Sequence, residues 1–241
     1  MPLEGRLILI TGAAQRIGHA LALGVAAAGA DVVLHYGQSQ DAAKDTRAAI
    51  EALGRKAFLL RADLADPTQA AELVPRALEH GALFALINNA AVFEPLTWET
   101  TSPEAWDRTL AINLTAPFLL SQAFARALRP GETGRIVNLL DWRALRPGPD
   151  HLPYTISKSA LAALTQSLAA ALAPQVNVNG LALGAILPPG NGQLVPNLLD
   201  SVPAKRWAGL DEVTQALLFL LDGPAYVTGE ILHVDGGRHL V

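Results

Sequence analysis

Short, nearly continuous apolar runs of strand length alternate along this chain with longer Ala- and Leu-rich stretches of helical period. Few folds accept that pattern. Strands apolar on both faces must be covered on both faces, as in a parallel sheet wrapped by crossover helices. The strands are expected at 6–11, 31–36, 56–61, 84–88, 134–140, 175–181 and 230–234. Helices of about fifteen residues between them suit right-handed βαβ units. Ser102-Pro103-Glu104 reads as a helix start, with serine as cap and proline in the first turn. That helix is expected to bend or restart near Pro117. Segments 143–152 and 184–203 read as loops, the second rich in proline and glycine. Loops of that length in a compact α/β unit commonly serve as lids or binding segments.

With 241 residues, 51% of them hydrophobic, the chain can bury one substantial core, and residues 1–241 read as one domain with a substrate loop at 184–208. The net charge of −4 comes without a basic run, which argues against nucleic-acid and membrane-surface partners and leaves a small-molecule substrate. The absence of cysteine removes disulfide, thiolate-metal and cysteine-nucleophile chemistry, and no metal site is expected. The segment at 1–10 passes straight into a strand, and no apolar run reaches membrane-spanning length without Gly, Pro or charge. A cytoplasmic protein is the expectation.

After the first strand, Thr11-Gly12-Ala13-Ala14-Gln15-Arg16-Ile17-Gly18 opens directly into a helix. This is how a doubly wound fold lays a pyrophosphate against backbone N–H groups and the positive end of a helix. Gly12 lets the chain turn tightly, and Gly18 lets the helix approach the sheet. Further on, Asp141 stands thirteen residues ahead of Tyr154, which is followed one turn later by Lys158. On a helix Tyr154 and Lys158 share a face, so the ammonium is expected to lower the phenol pKa from about 10 and let Tyr154 shuttle a proton. Asn113 lies mid-helix at a cost in propensity, which points to a functional or bend-stabilising purpose.

These residues, with Asp63-Leu64, Asn88-Asn89-Ala90, Val227-Thr228-Gly229 and Val234-Asp235-Gly236-Gly237, resemble the short-chain dehydrogenase/reductase family along nearly the whole chain. The resemblance implies a seven-stranded doubly wound, Rossmann-type parallel sheet in order 3-2-1-4-5-6-7, with helices on both faces. It also implies a nicotinamide dinucleotide cofactor and a homotetramer or homodimer. Cofactor contacts are then implied for Thr11, Gly12, Arg16, Ile17, Gly18, Asn89, Ala90, Tyr154, Lys158, Gly184 and Ile186, with Asp63 and Leu64 at the adenine edge. Asn88 would tie the central strands together, Lys158 would hold ribose hydroxyls, and Asn113 would support a water through which protons reach Lys158.

Three departures narrow the resemblance. Arg16 takes the place of the middle glycine, strand two ends His35-Tyr36-Gly37-Gln38-Ser39 without an acid, and Asp141 replaces the usual catalytic serine. All three are similar to the pteridine reductase branch. A missing acid at the tip of strand two favours NADP(H), since an acid there would repel a 2′-phosphate. His35, Tyr36 and Ser39 offer hydrogen-bonding groups, Ser39 nearest the phosphate, although His35 equally suits a ring packed under the loop. Asp141, Tyr154, Lys158 and Asn113 are the expected catalytic set. Phe93 would stack a flat ring against the nicotinamide, and Arg16 would reach its edge. Trp98 and Trp106 are expected to pack, and Trp142 and Trp207 to lie near site loops. Arg238 is weighed as a visitor to a neighbouring subunit's site. The implied activity is NADPH-dependent reduction of a pterin or dihydrofolate-like ring. The rivals are a carbonyl reductase, such as a 3-oxoacyl-carrier-protein reductase, and a catalytically silent NADP-binding regulator.

Overall fold

The computed structural model describes residues 1–187 and 198–241. The alternation resolves into β1 (Leu7–Ile10), α1 (Arg16–Ala27), β2 (Asp31–Tyr36), α2 (Gln40–Ala52), β3 (Ala57–Arg61), α3 (Pro67–Leu78) and β4 (Leu83–Asn88). The second half supplies α4 (Pro103–Leu110), α5 (Ala116–Ala127), β5 (Gly134–Asp141), α6 (Leu152–Leu172), β6 (Val176–Leu183), α7 (Leu210–Asp222) and β7 (Ile231–Val234). The strands form one seven-stranded sheet in order β3-β2-β1-β4-β5-β6-β7, and every paired neighbour is parallel. The expected fold class is therefore the observed one.

Strand periodicity divides the core in two. On β1, Ile8 and Ile10 enter the layer beneath α1 and α7, whereas Leu7 and Leu9 enter the layer beneath α3 and α5. Each fully buried aliphatic side chain contributes about 1.5–3 kcal/mol of transfer free energy. A single polar or misregistered residue in such a strand would thus damage one layer outright.

Two strands run further than the sequence indicates, and the difference matters for the site. β5 ends on Asp141 rather than Leu140, and β6 extends to Leu183 because Asp141 and Leu183 remain paired. The carboxylate is thus mounted on the sheet. Ser102 caps α4 by accepting a hydrogen bond from the Ala105 N–H at 3.2 Å. The expected bend ahead of Pro117 is a π-helical turn over Ala111–Thr115, with Asn113 at its centre. In the 184–203 loop, Leu198–Ser201 forms a short 3-10 turn; residues 188–197 of that expected substrate loop lie outside the described residues. Trp98 is 76% exposed, contrary to the expectation that it packs, because it sits on an external turn rather than on a helix face.

Candidate active site

The strand ends converge on a cradle built from hydrogen bonds. Thr11 Oγ1 accepts from the N–H groups of Asn89 (2.9 Å) and Ala90 (3.0 Å), and Asn89 Nδ2 donates back to the carbonyls of Thr11 and Gly12. Thr11 and Asn89 are therefore spent on joining β1 to β4, which leaves backbone rather than side chain to face a ligand. Gly12 lies in the left-handed region at φ 62°, and a Cβ on Gly18 would stand 2.1 Å from the Gly12 carbonyl oxygen. Only glycine fits at Gly18. Arg16 also adopts a left-handed φ, 54°, the conformation that a glycine would take without strain. Beyond it, α1 carries no acid in its first turn, so its unpaired N–H groups meet no competing carboxylate. Such a turn fits the pyrophosphate of a dinucleotide.

His35 corrects an expectation. Its ring is 2% exposed, Nδ1 accepts from the Gly12 N–H at 3.1 Å, and Nε2 pairs with the Ala62 carbonyl at 3.1 Å. Burial holds its pKa down to about 4, so the ring is neutral and carries the Gly12 turn from below. It has no nitrogen left for a phosphate. Tyr36 is likewise buried, against Ala14 and Ala43. Ser39 accepts a short hydrogen bond from Gln15 Nε2 and pins the start of α2 to the glycine turn. A cation that the sequence reading missed is Arg61, opposite Tyr36 in the sheet, whose Nε donates to the Gly37 carbonyl at 3.2 Å. No motif marks it, since only strand register brings it beside strand two. Asp63 caps the turn before α3 by accepting from the Ala65 N–H at 3.0 Å, and Leu64 is buried.

The reacting groups meet at the far ends of β5 and α6. Tyr154 donates its hydroxyl to Asp141 Oδ2 at 3.2 Å, while Asp141 Oδ1 accepts from the Arg143 N–H at 2.9 Å. Burial pushes the Asp141 carboxyl above the usual carboxylate range, against the pull of Arg143 and Lys158. Tyr154 is pushed well above the ordinary phenol value by burial and by the Asp141 carboxylate. That reverses the depression expected from Lys158, because burial and the hydrogen-bonded Asp141 carboxylate dominate at the phenol. Lys158 is itself lowered to about 8 by burial, and its Nζ donates to the Leu139 carbonyl at 2.6 Å. Tyr154 is thus held in its protonated form, whereas Lys158 gives up its proton more readily than a free lysine.

Asn113 is wholly buried, accepts from the Val92 N–H, and donates to the Val92 carbonyl and Ser157 Oγ. Its side chain clamps the segment after β4 onto α6. Asn88 donates to Asn138 Oδ1 at 2.8 Å across β4 and β5, the strand-tying role expected of it. Gly184 and Ile186 follow β6; a Cβ on Gly184 would meet the Asp235 backbone at 2.6 Å, and Ile186 is buried in the core.

Phe93 is 52% exposed and meets Tyr154 edge-on at a centroid distance of 4.6 Å. One face lies parallel to the His151 ring at 4.1 Å. Sequence reasoning missed His151 and Arg143. Arg143 bonds Asp150 at 2.8 Å, and Asp150 also holds His151 at 2.9 Å, giving the wall of the site a continuous polar chain. Only their closeness to Asp141 and Tyr154 in the sequence hints at this. Trp142 lies in that wall, as expected, with Arg238 of the same chain seated on its ring at 4.1 Å. The neighbouring-subunit role considered for Arg238 is not needed to bring it near a site. Among the described residues no group of His, Asp or Glu could hold a metal, and no helix is long and apolar enough to cross a membrane.

Comparison with known proteins agrees with this architecture. The family model described as enoyl-(acyl carrier protein) reductase matches residues 12–239. A 3-oxoacyl-[acyl-carrier-protein] reductase of Synechocystis sp. is 31% identical, with 98% of this chain and 97% of that protein covered. Among solved structures, FolM alternative dihydrofolate reductase 1 from Brucella suis, in complex with NADP, superposes with TM-score 0.90 at 32% identity, covering 98% of this chain and 96% of that one. A short chain dehydrogenase from Burkholderia cenocepacia, also with NADP, superposes with TM-score 0.93 at 34% identity over 99% of both chains. With its glycine turn, its Tyr154–Lys158 helix and these full-length likenesses, the chain belongs to the short-chain dehydrogenase/reductase family.

Proposed function

We propose that this oxidoreductase is an NADPH-dependent reductase of the pteridine reductase type, acting on a dihydropterin, dihydrofolate or biopterin-like ring. The observation that carries the reading is the Tyr154 hydroxyl bonded to Asp141, with the Phe93 ring edge-on to the same phenol. NADPH supplies a hydride when bound. Gly12, Gly18 and the start of α1 would hold its pyrophosphate, Lys158 its nicotinamide ribose, and Ser39, Arg16 and Arg61 its 2′-phosphate. Phe93, half exposed beside Tyr154, would orient a flat ring, a contact worth on the order of 1 kcal/mol.

Reduction of a C=N bond requires a proton at nitrogen. Tyr154, kept protonated by burial and Asp141, delivers it from the hydroxyl; solvent returns the proton to the phenol, and the Asp141 carboxylate holds the hydroxyl in place by accepting from it. A serine at Asp141 would donate to a carbonyl oxygen but could not replace this acid. The NADP-bound Brucella suis FolM neighbour, a dihydrofolate reductase by name, supports the same reading.

The Synechocystis relative favours a second reading, reduction of a carbonyl on an acyl thioester. NADPH consumption by the purified protein with dihydrobiopterin, dihydrofolate, an acetoacetyl thioester and an aromatic aldehyde separates the two. Oxidation with pterins alone is the expected result, and oxidation with the thioester alone replaces it with the carbonyl reading. Asp141→Ser should abolish pterin reduction without creating thioester activity. Tight NADPH binding with no turnover of any compound would identify a silent dinucleotide-binding regulator. We expect a cytoplasmic homotetramer or homodimer, which light scattering of the purified protein and cell fractionation test.

A further inference from the structure

We infer that Arg238, seated on Trp142 beside the reacting residues, anchors a carboxylate on the substrate, so that the preferred substrate is a flat ring bearing an acidic tail. This inference rests on the ring-reductase reading above and adds the tail. The C-terminal turn Arg238–Leu240 packs against the turn Trp142–Ala144, which starts one residue after Asp141. Both Arg238 and Arg143 place a guanidinium over the Trp142 ring, at 4.1 and 4.9 Å from its centroid. Arg143 has an ion-pair partner in Asp150. The Arg238 side chain makes no hydrogen bond or ion pair among the described residues, and its Nε is buried without an acceptor.

The nearby carboxylates do not answer this charge. Asp150 is held by Arg143 and His151, Asp235 by His239 and the N–H groups of Gly237 and His239, and Asp141 by Tyr154 and the Arg143 N–H. Burial and Arg143 weigh against the charged form of Arg238, while Asp141, Asp150 and Asp235 attract it through space without a hydrogen bond, and a guanidinium stays protonated in proteins. A partly desolvated, permanently charged fork beside a reaction site is left to be satisfied from outside, and a carboxylate matches its geometry in two parallel hydrogen bonds. The indole fixes the plane of the fork, so the acceptor must approach edge-on.

The test compares wild type, Arg238→Gln and Arg238→Lys by calorimetric binding of folate and of biopterin to the NADP-loaded protein, with KM and kcat for the dihydro forms. Arg238→Gln should weaken folate and raise the dihydrofolate KM about tenfold or more, with kcat, biopterin affinity and NADPH affinity unchanged. Arg238→Lys should fall between. Equal losses for folate and biopterin, or none for either, would overturn the anchor. A wild type that reduces aromatic aldehydes but no pterin would sink the ring reading instead. The anchor is then read from 4-carboxybenzaldehyde against benzaldehyde: a loss confined to the acid supports it, and any other pattern overturns it. Should Arg238→Gln fail to fold, Arg238→Lys carries the same comparison, since it keeps the charge and removes the fork. A wild type that binds and reduces none of these compounds overturns both proposals.

Discussion

Two buried ionisable residues govern what this molecule does with protons. Tyr154 holds its hydroxyl proton because it is buried and bonded to a carboxylate, so Tyr154→Phe should lower kcat on the accepted substrate about a hundredfold or more. NADPH affinity, read by fluorescence titration, should stay within a factor of about two, because Lys158 and the glycine turn are untouched. His35 acts on stability. Its folded-state pKa of about 4 lies below the ordinary 6.5, so the unfolded chain binds the extra proton in the interval between. Its contribution is therefore complete above about pH 6.5 and is lost as pH falls towards 4, by up to about 3 kcal/mol. Urea midpoints measured from neutral to mildly acidic pH should fall across that window, and His35→Gln should flatten the slope while lowering the midpoint at neutral pH.

At the scale of elements, the site depends on how helices are joined to strand ends. The π turn at Ala111–Thr115 directs Asn113 inward, where one side chain satisfies both backbone groups of Val92 and reaches Ser157 on α6. Asn113→Ala would leave both partly buried Val92 groups unpaired, and should cost about 1–3 kcal/mol with a melting temperature lowered by several degrees in calorimetry. At the other end of the site, Gly18→Ala would drive a methyl into the Gly12 carbonyl and displace α1 from the turn. NADPH binding should weaken more than tenfold, with a stability loss of about 2 kcal/mol or more. Arg61, fixed to the loop after strand two, is a test of cofactor choice. Arg61→Gln should raise the dissociation constant for NADPH while leaving that for NADH unchanged.

For the whole molecule, a single continuous sheet with an apolar layer on each face ties the strands into one unit, so circular dichroism and tryptophan fluorescence should report one coincident unfolding transition. The pattern that produces those layers was open to reading in the sequence. Val32, Val33 and Leu34 on β2, and Ala85, Leu86 and Ile87 on β4, announce strands apolar on both faces, and the glycine turn announces where a phosphate would lie. Charge environment was much less legible. A single residue's identity does not reveal that the Tyr154 hydroxyl is bonded to Asp141, or that His35 spends both nitrogens beneath the Gly12 turn. Nor does local sequence reveal Arg61 beside Gly37 or Arg238 on Trp142, because those pairs are set by sheet register and by where the last turn folds back.

The left-handed backbone at Arg16 has an evolutionary reading. A non-glycine residue in that conformation costs about 1 kcal/mol in every folded copy, whether or not a dinucleotide is bound. Glycine at that position would relieve the strain and forfeit whatever the arginine side chain contributes. A library at this codon should therefore diverge under two regimes: enrichment for heat tolerance alone should drift towards glycine, and enrichment for turnover should hold arginine.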